Sequence, residues 1–146
     1  MPNQIDLDRT YLEMAKVWAH LSKAKRKKVG CLIVKDGQII SDGYNGTPKG
    51  YDNECEFVNE KFLDKAENKL ETKREVLHAE SNALMKLAKS TNSSKDSTIY
   101  LTMSPCFDCA KLIIQAEVER VVCSEQYRIT DGVDFLRKNN IIVDIF

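Results

Sequence analysis

Apolar residues recur at intervals of three and four along residues 7–23: Leu7, Tyr11, Met14, Ala15, Trp18 and Leu21. That is the period of an amphipathic helix with one buried face. The pattern then changes. Residues 29–34 form an apolar, β-rich run, Lys35-Asp36-Gly37 reads as a turn, and residues 38–43 read as a second strand, so the pair predicts a hairpin. The stretch Gly43-Tyr44-Asn45-Gly46-Thr47-Pro48 is dense in turn formers and predicts a loop. Residues 50–75 are polar and highly charged, a surface insertion that is partly helical over residues 56–70. Helical spacing returns from Val76 through Leu77, Ala79, Ala83, Leu84, Leu87 and Ala88. A polar loop at 91–96 leads to a strand at 98–102, a helix at 107–116, a strand at 119–123, a helix at 132–138 capped by Thr130, and a strand at 141–145.

An opening helix and hairpin followed by alternating helices and strands imply an α/β chain: a mixed sheet with helices on both faces. The pattern shows no internal repeat or low-complexity segment. It therefore reads as a single domain over residues 1–146 with the charged insertion inside it.

Charge and composition narrow the partners. The 146 residues hold 22 Lys plus Arg and 22 Asp plus Glu, for a formal net charge of zero. A large nucleic-acid surface normally shows as basic excess, so none is expected. A small anion is still open, because a few arginines can hold one phosphate without changing the total. The basic run at residues 23–28 is either a solvated helix end, where cations suit the dipole, or part of such an anion site. No apolar run approaches the roughly 18 residues of a membrane span. The first residues lack the apolar core of a signal peptide, so a cytosolic location is expected, in the host for a viral protein. The five cysteines fit metal ligation and free thiols better than a disulfide framework.

The densest chemistry is His78-Ala79-Glu80 together with Pro105-Cys106-Phe107-Asp108-Cys109. Zinc takes nitrogen and thiolate ligands, and a catalytic site keeps one position open for water. Cys106 and Cys109 at a helix start present both sulfurs to one side, where the helix dipole favours thiolates. His78, at another helix start, completes three ligands. Glu80 is not needed as a ligand and suits general acid–base work. This His-x-Glu and Pro-Cys-x-x-Cys pattern is the known signature of zinc nucleobase deaminases. Alternatives remain open on spacing alone: a redox pair, or a closed structural zinc completed by Cys123 or Cys31. Those two cysteines lie in apolar strands and read as small core residues. Cys55 would need partners for a second metal, and His20 is the only other histidine.

Beyond these motifs the chain resembles the deoxycytidylate (dCMP) deaminases, especially those of bacteriophages and other viruses. The resemblance rests on Arg26-Lys27-Lys28-Val29-Gly30-Cys31, Val34-Lys35-Asp36-Gly37, Gly43-Tyr44-Asn45-Gly46-Thr47-Pro48-Lys49-Gly50 and Tyr127-Arg128. It implies a three-layer αβα sandwich around a five-stranded mixed sheet, and hydrolysis of dCMP to dUMP and ammonia. It implies one catalytic Zn2+ on His78, Cys106 and Cys109, with Glu80 as the proton shuttle. It also implies that Asn45 contacts the deoxyribose or fixes the substrate's orientation, that Arg26, Tyr127 and Arg128 hold the 5′-phosphate, and that the backbone near Ala79 and Ser104 reads the cytosine edge. Family members are commonly hexamers activated by dCTP and inhibited by dTTP, with Mg2+ accompanying the triphosphate. Some carry a second, structural zinc near the insertion, for which this chain offers Cys55 without obvious partners. Three rivals share parts of the pattern. They are an adenosine deaminase of transfer RNA, a non-catalytic nucleotide sensor and a purely structural zinc module. The zero net charge and the Asn45 loop weigh against the first, Glu80 against the second, and the lack of an evident fourth ligand against the third.

Overall fold

Asn3 starts the first helix by accepting a hydrogen bond from the Asp6 amide on its side-chain oxygen, at 2.9 Å, which satisfies an N–H that has no partner within the helix. In the computed structural model, which describes residues 1–62 and 70–146, this helix is α1, Gln4–Ala19. It stops short of the expected residue 23. The amides of His20, Leu21 and Ser22 turn back onto the carbonyls of Val17, Trp18 and Ala19, a tightened last turn. The Ser22 hydroxyl then donates to the Asn45 carbonyl at 2.8 Å, drawing the chain away from the helix axis. The basic run at 23–28 is therefore a loop and not a helix end.

Strands β1 (Gly30–Lys35) and β2 (Gln38–Tyr44) form the expected hairpin. Asp36 and Gly37 turn it with φ of 51° and 74°, the paired positive φ that suits the twist of flanking strands. The insertion departs from expectation. Glu56–Val58 is a strand, β3, paired antiparallel with β4, Leu70–Thr72, and Glu60–Phe62 is a single 3-10 turn. Local side-chain bonds compete with a helix here: Asn59 accepts from the Lys61 amide at 3.0 Å and donates to Glu71 at 2.6 Å. The rest of the helix expected at 56–70 falls on residues 63–69, outside the described residues.

The remaining elements follow the expected order: α2 (Ala79–Ala88), β5 (Thr98–Leu101), α3 (Phe107–Gln115), β6 (Arg120–Cys123), α4 (Asp131–Lys138) and β7 (Ile142–Ile145). The five-stranded sheet runs β2-β1-β5-β6-β7. β1 is antiparallel to β2 and β5, while β5, β6 and β7 are parallel. Alternate β1 residues enter different cores, as the two-residue period of a strand requires. Cys31 and Ile33 join Ala83, Leu87, Ile113 and Leu136 of α2, α3 and α4; Leu32 and Val34 join Leu12 and Ala15 of α1. This is the three-layer sandwich, and burial on both faces explains why residues 29–34 read as an unbroken apolar run. Cys31 and Cys123 are fully buried within it. No helix of the described residues is long and apolar enough to cross a membrane.

Gly43 sets the height of α2 above β2. A Cβ there would lie 2.4 Å from the Ala79 carbonyl oxygen and 2.7 Å from the Ala83 nitrogen, so only a bare backbone permits this approach. Ser41 and Asn82 then tie the two elements, through bonds to the Ala83 carbonyl (2.7 Å) and the Tyr44 carbonyl (2.8 Å).

A buried ion pair fastens α1 to the sheet. Arg120 donates to both Asp8 oxygens, at 2.9 and 2.7 Å, and on to Asp144 at 2.8 and 3.0 Å. Tyr100 and Gln4 also donate to Asp8, at 2.7 and 2.9 Å. Burial pushes the Asp8 carboxyl up, but the bonds from Arg120, Tyr100 and Gln4 outweigh it and hold the group below its ordinary 3.8. A lowered native pKa gives stability that is present above the unfolded value and lost as pH falls through the native one. Arg120→Ala leaves Asp8 charged and buried, and is expected to cost about 3–5 kcal/mol at pH 7. Urea unfolding at pH 7 and at pH 2 checks this: the gap between variant and wild type should shrink at the lower pH.

Candidate active site

Two helix starts supply the reactive groups. His78 and Cys106 are the N-cap residues of α2 and α3, both in extended backbone, and neither side chain makes a capping hydrogen bond. Each side chain is free to face the other. Cys109 follows one turn into α3. The His78 Nδ1 lies 3.3 Å from Cys109 Sγ and 3.5 Å from Cys106 Sγ, and the three donor atoms fall within 4.8 Å of one another. Zinc bond lengths of about 2.0–2.1 Å to nitrogen and 2.3 Å to sulfur place tetrahedral ligands roughly 3.5 Å apart. The residues present fit a zinc ion. Among the described residues no fourth His, Cys, Asp or Glu joins this group, and Cys31 and Cys123 lie in the core.

Glu80, in the first turn of α2, is 4 % exposed. Its Oε1 is 3.8 Å from His78 Nδ1. Burial raises the Glu80 carboxyl above its usual range, with a bond from Cys109 and the charge of His78 opposing. Cys106 is pulled down to about 4 by the bond from Cys109, helped by His78. The bond to Cys106, together with burial, raises Cys109. His78 is raised by its bond to Cys106.

These groups open on a cavity of about 290 Å³. Glu80, His78 and Cys106 line it, and so do Arg26, Asn45, Ala79, Ser104 and Tyr127. Arg128 is exposed and is not part of this wall. Residues distant in sequence thus share one cleft, whose lining includes the buried Glu80 and the exposed Arg26. Backbone bonds between Gly46 and Leu77, at 2.8 and 3.0 Å, fasten the Asn45 loop to the approach of α2.

Comparison with known proteins agrees with this arrangement. Residues 5–125 match the family described as the cytidine and deoxycytidylate deaminase zinc-binding region. The chain belongs to this family. It is 33% identical over 150 residues to the deoxycytidylate deaminase of Enterobacteria phage T4, covering 81% of this chain and 77% of that one. The Homo sapiens deoxycytidylate deaminase is 37% identical over 124 residues, covering 83% and 66%. A crystal structure of dCMP deaminase from the cyanophage S-TIM5 in complex with dCMP and dUMP superposes with a TM-score of 0.87 at 40% identity, covering 99% of this chain and 100% of that chain.

Within this deaminase, several side chains hold the cleft in shape. The Asn45 amide group accepts from the Val29 amide and donates to the Lys27 carbonyl, both at 2.8 Å, so it braces the entry to β1. The Ser104 hydroxyl accepts from the Tyr127 amide at 2.7 Å and from Gln126 at 3.2 Å, which sets Tyr127 on the wall. Sequence reasoning missed Glu56 and Thr72, which also line the cleft. Neither carries a local signal, because both arrive on the β3–β4 ribbon from a distant part of the chain. Lys27 lay inside the basic run but was not singled out; it lines the cleft and pairs with Glu125 at 2.8 Å.

Proposed function

We propose that this chain hydrolyses dCMP to dUMP and ammonia. The observation that carries the reading is the shared cleft: His78 and Cys106 of the metal set and the buried Glu80 line the same cavity as Arg26 and Tyr127. His78, Cys106 and Cys109 would hold the zinc. Bound zinc supplies Lewis acidity that lowers the pKa of a coordinated water toward neutrality. Glu80 would accept the proton released by water during attack at C4 and deliver it to N3. It would then take the proton of the hydroxyl newly placed on C4 and pass it to the departing amine as the C4–N bond breaks and the carbonyl forms. Asn45 fixes the cleft wall beside the sugar, and the backbone at Ala79 and Ser104 meets the cytosine edge. Arg26 and Tyr127 bind the 5′-phosphate, since a guanidinium fork matches phosphate oxygens and a phenol adds a donor. Ammonia release from dCMP, with deoxycytidine and transfer RNA as comparisons, tests the reading; release from transfer RNA alone would overturn it.

The same proposal includes a single deaminase domain, activation by dCTP, inhibition by dTTP with Mg2+ on the triphosphate, and a hexamer. Family resemblance supports these, and dCMP kinetics with each effector beside a sizing column tests them.

The phosphate assignment makes its own prediction. Arg26→Ala should raise KM for dCMP about 10–100-fold, the loss of a hydrogen-bonded charge on the ligand, with little change for deoxycytidine. Arg128→Ala should do less, because its side chain is not on the cleft wall. Parallel weakening of both substrates by Arg26→Ala would place Arg26 outside the phosphate site.

A further inference from the structure

We propose that Glu56 is a positioning residue for the substrate phosphate: from the ribbon it holds the backbone of the basic loop, so that Arg26 and Lys27 stand on the cleft wall. This rests on the dCMP reading above. The Glu56 carboxylate accepts from the Lys25 amide, at 3.1 and 2.9 Å, and from the Arg26 amide, at 3.1 Å. These partners lie 31 and 30 positions away in the chain. The Arg26 Nη1 donates to Thr72 Oγ1 at 3.4 Å, so both strands of the ribbon grip the same short segment. From the other side Asn45 holds the Lys27 carbonyl.

The segment needs such a grip. Lys23, Lys25, Arg26, Lys27 and Lys28 stand close together in sequence, and like charges so placed repel one another. No helix or strand constrains them. A carboxylate accepting from successive amides makes charge-assisted bonds and also offsets part of that repulsion.

A carboxylate on the wall of a phosphate cleft has a second physical consequence, and the two have opposite signs. If Glu56 acted only through its charge, it would repel the phosphate, and its neutral isostere would bind dCMP more tightly. If it acts by positioning, the isostere weakens dCMP, because a carboxamide accepts these amide bonds less strongly than a carboxylate. We expect Glu56→Gln to raise KM for dCMP about tenfold, with kcat and the KM for deoxycytidine within about twofold of wild type. Glu56→Asp, which keeps the charge on a shorter arm, should recover part of the loss. A lower KM for dCMP in Glu56→Gln, or an equal loss with both substrates, overturns the proposal.

Amide hydrogen exchange provides a second readout that needs no substrate. Exchange over residues 24–28 should quicken about tenfold or more in Glu56→Gln while the melting temperature stays put. Unchanged exchange there overturns the proposal even if dCMP is turned over. If the wild type fails to deaminate dCMP while exchange quickens in the variant, the substrate reading has failed and the grip on the loop stands.

Discussion

Glu80→Gln is expected to lower kcat for dCMP by about 10²–10⁴-fold, the usual worth of a positioned general acid–base group, with zinc content unchanged. The carboxyl sits in the first turn of α2, 4 % exposed and 3.8 Å from His78 Nδ1. Gln preserves shape and volume in that buried position, so helix packing and the metal set should survive. What it cannot do is take a proton and return it to a second atom. Ammonia release, bound zinc measured by atomic emission, and dUMP affinity measured by calorimetry separate these effects. The expected triplet is lost turnover, one zinc per chain and nearly unchanged dUMP binding. Turnover equal to wild type would mean that another group moves the proton.

The second large effect is at the metal. Cys109→Ser should remove zinc and turnover together. The hydroxyl keeps the size of the thiol but is a poor ligand, since zinc binds cysteine as the thiolate. Cys109 is buried, with Sγ 3.3 Å from His78 Nδ1, which holds it within the ligand set. Zinc affinity should fall by more than the roughly 10–100-fold that loss of an outer-shell partner costs. Cys123→Ser provides the contrast. That thiol is fully buried in β6, so its substitution should perturb stability and leave one zinc per chain. If Cys123→Ser emptied the site and Cys109→Ser did not, the ligand set would be misassigned.

The elements that could be read from sequence are those whose signals are local. The β1 run, the Asp36-Gly37 turn and the helices carrying His78 and Cys106 each follow from periodicity or turn chemistry within a few residues. The His78, Glu80, Cys106 and Cys109 grouping was legible because its ligand types and spacings are a chemical requirement. What escaped the sequence is non-local. α1 ends at Ala19 because Ser22 is drawn to the Asn45 carbonyl, 23 residues away. β3 is extended although its composition suits a surface helix, since Asn59 spends its side chain on Lys61 and Glu71. The side-chain amide of Asn45 braces the Lys27–Val29 backbone, a task that no single-sequence pattern announces. For the same reason Arg128 looked equivalent to Arg26 in sequence, while only Arg26 reaches the cleft wall.

The Gly46–Leu77 bridge brings the two ends of the intervening excursion together, and its ribbon shares no strand with the five-stranded sheet. Chain whose ends already meet is exchangeable: another length can be spliced across the same neck without shifting any register. The Gly46–Leu77 neck therefore marks a place where related chains can be exchanged. Swapping the excursion between related chains, while leaving α2 and α3 untouched, offers a direct route to altered phosphate preference on an unchanged reaction centre.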